Sequence, residues 1–498
     1  MNSAAKINNS TSLDTTKIAI IGGGVAGSTI ALRFAELGID TTLIEKGDSL
    51  VNGPPICHLH AGGNFYREIS EQQCLTLLKE SIDTVKVYPH SVNIRPTVIA
   101  LPKTDAGEPL DLLPRLNILR AKYNELVKQD IANKVLGEPE QYYRLFSRAE
   151  LDALLTLPLP TSAKTESDWL VAFAQQVDLE QLKFPIVLVQ EYGLSAFRFA
   201  AIASLAIERL PSCHLHTNSQ VRLLEFQPET ATWRLAIQKT TQDTLQEKTS
   251  TVIHTDFDYV INACGFKSGE IDDMLSAKRK RMVEFKAAYL AHWPQCQGLW
   301  PEVVFYGQRG TPQGMAQLTP YSDGYFQLHG MTQDITLFEQ GLVTSDEHSA
   351  QPRLPSRFIK KIEQQWPKEL INKRTMGAIR HMTQFIPDFT RAVVASKPLF
   401  GAQQIPGDDA DLRAVDVSFH GGHYARTEIV KASSALAAAD AILKDLLACG
   451  LVTSEIANRY AKQHYFPITL QCNSEQVTTR AISIASQRGY PEALAKNS

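Results

Sequence analysis

The stretch KIAIIGGGVAGSTIALRFAELGIDTTLIEK, residues 17–46, predicts a strand, a helix and a second strand in that order. Its first apolar run, IAII, is typical of a strand that is buried on both faces in a parallel sheet. After the glycines, apolar residues recur at helical spacing as far as Gly38, and TTLIEK then has the pattern of a second strand. The stretch is therefore predicted to form a βαβ unit of an α/β fold.

Three glycines in this unit form the pattern G-x-G-x-x-G, at Gly22, Gly24 and Gly27. The first allows a tight turn, the second lets a phosphate approach the backbone, and the third lets the helix pack closely on the strand. Backbone N–H groups at the helix start then face a pyrophosphate, and Glu45 ends the second strand, where a carboxylate binds a ribose. The pattern predicts a dinucleotide site that fits NAD and FAD alike. The residues predicted to contact the dinucleotide here are Gly22, Gly24, Val25, Ala26, Gly27, Glu45 and Lys46.

The length and composition indicate a globular protein of more than one structural unit. A chain of 498 residues is too long for one ordinary core. Its hydrophobic content of 44% and charged content of 21% are typical of soluble proteins. The 50 basic and 53 acidic residues nearly balance, so the charge pattern gives no support to nucleic-acid binding.

The cysteines and the N-terminal residues predict a cytoplasmic location. Seven cysteines are scattered without a C-x-x-C pair, which favours reduced thiols over a disulfide framework or a metal site. Residues 1–16 are polar and lack the apolar segment of a signal peptide. No apolar run reaches the roughly 18 residues that span a bilayer, although peripheral contact with a membrane surface stays open.

Three distant segments narrow the choice of dinucleotide. HLHTNSQVRLLEF and TWRLAIQ, within residues 214–238, predict strands, and FDYVINACGFKSGEI, residues 257–271, predicts a buried strand. DVSFHGGHYARTEIVKASSALAAADAIL, residues 416–443, predicts a strand, a glycine turn and a long helix. In this order, after the βαβ unit, they resemble the glycine- and D-amino-acid-oxidase (DAO) superfamily of FAD-dependent oxidoreductases.

The resemblance implies FAD as the cofactor. In that superfamily the βαβ unit holds the ADP half of FAD, a V-x-N-A-x-G strand (here 260–265) completes the nucleotide domain, and a glycine turn with its helix caps the isoalloxazine edge. A helix N-terminus there would stabilise the negative charge of the reduced ring. The further cofactor contacts that it implies are His60, Ala61, Gly62, Val221, Ala263, Cys264, Gly265, Gly421, Gly422 and His423. Only one G-x-G-x-x-G is evident, which disfavours a second site for NAD(P)H.

The predicted fold is α/β with α+β parts, in which a Rossmann-like FAD-binding domain is interleaved with a β-rich substrate domain. The FAD-binding domain is predicted from residues 17–90, 190–275 and 395–448. The substrate domain is predicted from residues 91–189 and 276–394. Residues 449–498 are predicted to form a helical tail.

The loop NGPPICHLHAGGNFYREIS, residues 52–70, is the candidate active-site segment. Its His60-Ala61-Gly62 resembles the I-H-A-G-x-x-Y of L-2-hydroxyglutarate dehydrogenases and the H-A-G of malate:quinone oxidoreductases. It also resembles the H-A-A-G of dimethylglycine dehydrogenases, in which the histidine is joined covalently to FAD. Cys57 and His58 stand where the hydroxy-acid enzymes have Ser-Gly, and covalent attachment here is left open.

Oxidation of a small acid by a flavin needs a base, a cation for the carboxylate and a hydrogen-bonding wall. His60 is the predicted base, because histidine titrates near neutral pH. Arginine matches a carboxylate with its planar fork, and the candidates are Arg67, Arg309, Arg380 and Arg426. The candidates for the wall are Tyr325, His329 and His381.

The sequence therefore predicts an FAD-dependent oxidoreductase that oxidises a small amino acid, amine or 2-hydroxy acid by hydride transfer to the flavin. Oxygen or a quinone would accept the electrons. A flavin monooxygenase or halogenase-like enzyme that uses NAD(P)H is the alternative, because IPGDDADLRAV, residues 405–415, resembles the Gly-Asp motif of those enzymes. A non-catalytic flavin-bearing partner subunit is a third hypothesis.

Overall fold

The computed structural model describes residues 16–52, 67, 69–242, 248–410, 412, 416–462 and 467–497. In these residues the first sheet, called the parallel sheet below, has six strands, and only the edge strand β20 is antiparallel. Its order is β20 (Asp416–His420), β21 (Tyr424–Glu428), β12 (Tyr259–Asn262), β1 (Lys17–Ile21), β2 (Asp40–Ile44) and β8 (Cys213–His216).

Helices cover the parallel sheet and close its core. Ile30 and Phe34 of the first helix, Ile202, Ile442 and Val477 are buried in one cluster with the strands. Burial of such side chains stabilises the fold by about 25 cal/mol per Å² of apolar surface. The helices that contribute to this cluster are α1 (Val25–Glu36), α6 (Ala196–Ile207), α10 (Ala435–Ala448) and α13 (Ser474–Gln487).

A second sheet, called the large sheet below, has ten strands in the described part of the chain. Eight form the order β17 (Leu342–Thr344), β13 (Arg281–His292), β16 (Tyr325–Gly330), β15 (Ala316–Pro320), β14 (Glu302–Phe305), β4 (Thr97–Ala100), β6 (Ile186–Val189) and β5 (Tyr143–Phe146). The long strand β13 also pairs with β18 (Val393–Val394) and β19 (Leu399–Pro406).

The two faces of the large sheet have different neighbours. Along β13, Ala288 and Leu290 belong to the core of the parallel sheet, whereas Phe285 and Tyr289 belong to a separate core. Because alternate residues of a strand point to opposite faces, the face with Ala288 is called the inner face. The outer face packs against α9 (Lys368–Met382).

Smaller elements complete the described chain. Two further sheets pair β3 (Val92–Asn93) with β7 (Gly193–Leu194), and β10 (Thr232–Gln242) with β9 (Ser219–Gln227) and β11 (Lys248–Phe257). The other helices are α2 (Glu71–Val87), α3 (Leu113–Gln129), α4 (Arg148–Asp152), α5 (Val171–Gln176), α7 (Ser268–Met274), α8 (Ser356–Glu363), α11 (Ser454–Lys462) and α12 (Pro467–Leu470). Within the described ranges, no helix is long and apolar enough to cross a lipid bilayer.

Two segments make contacts that differ from their predicted domain assignment. β19 lies in the segment 395–448, which was predicted for the FAD-binding domain, yet it pairs with β13 of the large sheet. The predicted tail is helical, but α13 packs on α6 in the core of the parallel sheet. A strand's partner depends on tertiary contacts, so periodicity alone did not assign β19 to a sheet.

The carboxyl of Glu36, at the end of α1, contacts this C-terminal region. Its Oε1 accepts a hydrogen bond of 2.8 Å from the backbone N–H of Ile468. Burial raises the pKa of Glu36 from its ordinary 4.5 to about 7, against the opposing effects of this hydrogen bond and of Arg33 and Arg459. Between these two pH values the folded chain keeps a proton that the unfolded chain has released.

The Glu36→Gln variant should therefore gain stability over the native protein as pH rises. Below pH 4.5 the carboxyl is neutral in both states and the two proteins should unfold alike. Above pH 7 the native protein carries a buried charge, and after discounting for partial exposure the variant should be more stable by about 1 kcal/mol. Urea denaturation at pH 4, 6 and 8 measures this difference. A constant difference at all three values would contradict the assignment.

Candidate active site

A cavity of about 390 Å³ lies at the carboxyl edge of the parallel sheet. The turn after β1, the ends of β2 and β12, and the connection from β21 to α10 form its wall. In open α/β sheets, ligands bind at this edge. The residues that line this cavity include Gly22, Gly24, Val25, Ala26, Glu45, Lys46, Val51, Val221, Ala263, Cys264, Gly265, Gln403, Gln404, Thr427 and Lys431.

The three glycines of the first turn differ in what surrounds them. Gly22 has a φ of +103°, and a Cβ on it would lie 2.5 Å from the carbonyl oxygen of Ala263. A Cβ on Gly27 would lie 1.8 Å from the carbonyl oxygen of Gly22. Around Gly24, by contrast, no described atom lies within 4 Å of such a Cβ. Backbone packing thus requires Gly22 and Gly27, while Gly24 leaves space on the cavity side.

The helix start and Glu45 supply complementary polar groups to the cavity. α1 begins at Val25 with no side-chain cap and no acidic residue in its first turn, so its N–H groups and dipole favour an anion. Oε2 of Glu45 accepts from the N–H of Gly23, and Oε1 accepts from the N–H of Gly47, both at 2.6 Å. These bonds fix the carboxylate at the cavity wall.

Two buried polar atoms of the cavity wall have no hydrogen-bond partner among the described residues. They are Oε1 of Gln404 and Oγ1 of Thr427. The amide nitrogen of Gln404 is already used, since it donates to the carbonyl of Thr427 at 3.1 Å. Because buried polar groups are normally hydrogen-bonded, these atoms indicate a ligand with polar groups at this end of the cavity.

The turn at Gly421 and Gly422, which was predicted to contact the isoalloxazine edge, does not line the cavity. β21 runs parallel to β12, so the turn before it, with His423, lies at the opposite edge of the sheet from the cavity. A Cβ on Gly422 would lie 3.2 Å from the ring of Phe226. The segment 429–432, which follows β21, lies at the cavity instead.

This placement predicts that Gly421→Ala leaves the cofactor site intact. No described atom lies within 4 Å of a Cβ on Gly421, and the residue does not line the cavity. We expect the dissociation constant of the cofactor to change by less than about twofold, as for other surface substitutions. Titration of the stripped protein with FAD measures it, and a loss of tenfold or more would restore the predicted role of the turn.

The inner face of the large sheet continues from the cavity as a band of buried polar side chains. Gln403 lines the cavity and donates to the carbonyl of Val430 at 2.8 Å. Nζ of Lys286, which is 8% exposed, lies 3.1 Å from Oε1 of Gln403 and 2.7 Å from Oε2 of Glu284. Arg309 contacts the other oxygen of Glu284. Among the described residues, two cations thus share the carboxylate of Glu284 beside the cavity.

Further along the same face, a second buried cluster surrounds Glu302. Gln317 contacts its carboxylate, Oγ1 of Thr319 donates to it at 3.2 Å, and a nitrogen of Arg95 lies 3.7 Å away. Burial first, and then the charge of Arg95, lower the pKa of Arg198 to about 10. Two guanidinium groups and one carboxylate are therefore buried where the large sheet meets α6.

The predicted catalytic residues differ in where the structure places them. Arg309 lies at the inner face of the large sheet, where it contacts Glu284. Arg67 forms two hydrogen bonds of 2.7 and 3.0 Å with Asp105. Tyr325 stacks on His292 at 4.3 Å near the far end of β16, away from the cavity lining. His60, Ala61 and Gly62 lie outside the described residues.

Arg380, His381 and Arg426, three further predicted site residues, do not line the cavity. Arg380 is exposed and His381 is buried on α9, which packs on the outer face of the large sheet, and burial lowers the pKa of His381. Arg426 is buried and donates to Asp272. His329 lies on β16 opposite Gln317, on the inner face.

Sequence reasoning missed Lys286, Gln403, Gln404 and Thr427. A lysine and a glutamate within the largely apolar strand MVEFKAAYLAH were the available signal, because a buried lysine needs a specific reason. The two glutamines of LFGAQQIP gave no such signal in the sequence, because their hydrogen-bond partners lie on distant segments.

Comparisons with known proteins agree with this architecture. Residues 17–94 match the family model described as FAD dependent oxidoreductase, DAO. The glycine oxidase of Geobacillus kaustophilus is similar in structure, with a TM-score of 0.52, 14% identity, and 87% of this chain and 95% of that chain covered. The L-amino acid deaminase of Proteus vulgaris has a TM-score of 0.53 at 13% identity, with 87% and 94% covered.

Two further comparisons extend the range of relatives. The L-alpha-glycerophosphate oxidase of Mycoplasma pneumoniae, solved with FAD bound, has a TM-score of 0.52 at 13% identity, with 87% of this chain and 95% of that chain covered. The FAD-dependent monooxygenase esdpE of Penicillium shearii is 31% identical over 122 residues. That alignment covers 23% of this chain and 24% of the relative, so the chain spans about a quarter of the curated relative it matches.

The fold and the cavity define a Rossmann-like dinucleotide-binding protein with a second, β-rich unit. Residues 17–94, which hold the glycine turn and Glu45, match the family model of DAO-type FAD-dependent oxidoreductases, and the fold is similar to that of the glycine oxidase, the L-amino acid deaminase and the glycerophosphate oxidase, the last of which was solved with FAD. The residues fit this cofactor: α1 and the glycine turn suit the pyrophosphate, Glu45 suits the ribose, and Gln404 and Thr427 offer partners to a polar ring.

Proposed function

We propose that this protein oxidises a small amino acid, amine or 2-hydroxy acid that carries a carboxylate. The observation that carries the proposal is the pair of cations, Lys286 and Arg309, that meet at Glu284 on the sheet face that adjoins the FAD cavity. An ammonium and a guanidinium beside one carboxylate favour an anionic ligand. The burial of Lys286 strengthens its attraction for an anion, because the surroundings screen charge less than water does, whereas Arg309 is exposed.

Each group has a defined task in this proposal. FAD, when bound, supplies the acceptor for a hydride. Lys286 and Arg309 bind the substrate carboxylate, and Gln403 holds Lys286 beside the cavity. His60 remains the proposed base that removes the proton from the substrate O–H or N–H. Oxygen or a quinone is the proposed electron acceptor, and the scattered cysteines favour the cytoplasm as its location.

Anaerobic mixing with a panel of substrates tests the proposal. The purified yellow protein is mixed with amino acids, N-methyl amino acids and 2-hydroxy acids, and the absorbance of the oxidised flavin near 450 nm is followed. We expect one carboxylate class to bleach the band, and the matching methyl ester, which lacks the charge, to bleach it far more slowly. Bleaching by esters and acids alike would contradict the carboxylate site.

A monooxygenase is the second candidate, because the curated relative that matches this chain is an FAD-dependent monooxygenase. The Gly-Asp pair that resembles the monooxygenase motif, however, does not line the cavity. Asp408 is exposed at the end of β19 and pairs with Lys280 at 2.6 Å. Rapid NADPH consumption by the purified flavoprotein, without bleaching by any acid, would favour this second candidate.

A further inference from the structure

Val51 has an unusual backbone conformation at the wall of the FAD cavity. The residue is 3% exposed and has a φ of +54°, in the left-handed region that branched side chains rarely adopt. Its N–H donates to the carbonyl of Gly23 in the glycine turn at 2.8 Å. This strained residue therefore joins the segment after Glu45 directly to the turn that faces the pyrophosphate.

Arg488, the residue after α13, bonds to both sides of this strained position. Its Nη1 donates to the carbonyl of Val51 at 2.9 Å, and its Nη2 donates to the carbonyl of Leu50 at 2.6 Å. Nη2 also donates to Oγ of Ser49 at 3.2 Å. The two carbonyls belong to the peptide planes on either side of Val51, so one guanidinium group fixes both planes and with them the φ and ψ of Val51.

We propose that Arg488 is a positioning residue for FAD, which acts by holding Val51 in the left-handed conformation that shapes the cavity wall. This role of Arg488 is independent of the proposed substrate chemistry, because it concerns cofactor affinity alone. A rigid, planar donor suits two adjacent carbonyls better than a lysine would. The C-terminal helix is then a part of the cofactor site, although it contributes no residue to the cavity lining among the described residues.

The first test compares Arg488→Ala with Arg480→Ala. Arg480 lies on α13 itself and pairs with Glu208 at 2.8 Å, away from the cavity. After removal of bound flavin, FAD is titrated into each protein and its fluorescence quenching gives the dissociation constant. Because Arg488→Ala loses charged hydrogen bonds, its dissociation constant for FAD should rise by about 10- to 100-fold. The constant of Arg480→Ala should stay within about twofold.

The second test asks whether Arg488 acts through the conformation of Val51. Glycine adopts a positive φ without strain, so Arg488→Ala should raise the FAD constant much less in a Val51→Gly background, by about threefold or less. Val51→Ala removes the branched side chain but keeps the Cβ and its strain. In that background the full effect of Arg488→Ala should remain.

Two results would overturn the proposal. One is an equal effect of Arg488→Ala in the native protein, in the Val51→Ala background and in the Val51→Gly background, which would mean a merely structural role for the arginine. The other is an unchanged FAD constant with a lowered unfolding midpoint of the flavin-free protein. Neither result depends on the substrate panel, so failure here is distinguishable from failure of the proposed reaction.

Discussion

Gly27→Ala should yield a colourless and strongly destabilised protein. The new Cβ would lie 1.8 Å from the carbonyl oxygen of Gly22, and both partners are backbone held by the parallel sheet and α1. Helix and strand would have to separate, which costs about 3 kcal/mol or more as an overpacking effect. Thermal unfolding of the flavin-free protein measures the loss, which should be present whether or not FAD is added.

Gly24→Ala is the matched variant that separates packing from cofactor binding. No described atom lies within 4 Å of its Cβ, so the flavin-free protein should unfold within about 0.5 kcal/mol of the native one. The Cβ would nevertheless occupy the space beside the helix start that a phosphate needs. We expect the FAD dissociation constant to rise by about 100-fold. An unchanged constant would contradict the location of the pyrophosphate.

Lys286→Met should lower kcat/KM for the carboxylate substrate by about 100- to 1,000-fold. The variant removes a buried cation from the inner face of the large sheet but leaves Glu284 paired with Arg309, so no buried carboxylate loses its last partner. Steady-state kinetics with the acid that bleaches the flavin gives the ratio. The effect should be far smaller with the methyl ester of that acid, since its charge is absent.

The control for this variant is Lys280→Met. Lys280 comes just before β13, is exposed, and pairs with Asp408 on the surface. Its replacement should leave kcat/KM within about twofold. If Lys286→Met instead keeps its turnover but loses FAD, then Lys286 belongs to the cofactor wall, and the proposed carboxylate site must lie elsewhere.

The parts of the fold that local sequence could predict are those in which one short stretch contains the whole structural reason. The βαβ unit of residues 17–46 is such a stretch, because its glycines, helix periodicity and terminal acid lie together. The segment 416–443 is the contrary case. YARTE carries charged residues, which obscured a buried strand, β21, between the glycine turn and the helix.

That strand is stabilised by pairings that no local pattern shows. Glu428 bonds to Arg281 and Arg279, and Arg426 bonds to Asp272, all from segments far from β21 in the sequence. The same dependence on distant partners explains why the sequence did not show that Arg426 pairs with Asp272, or that Lys286 pairs with Glu284. The ion-pair partner of an arginine is determined by the folded chain. Residue type alone therefore made Arg380 as good a candidate for the carboxylate-binding cation as Arg309.

The strand order of the parallel sheet also has consequences for the folding of this chain during its synthesis on the ribosome. Val260 pairs with Ala19 on one side and with Tyr424 on the other. Strand β1 is therefore synthesised long before its neighbour β12, and β12 long before β21, and such non-local pairings fold slowly and leave apolar strand edges exposed in the meantime. The described lining of the cavity is complete only after residue 432 has been synthesised, so we expect a shorter nascent chain to lack the complete FAD site.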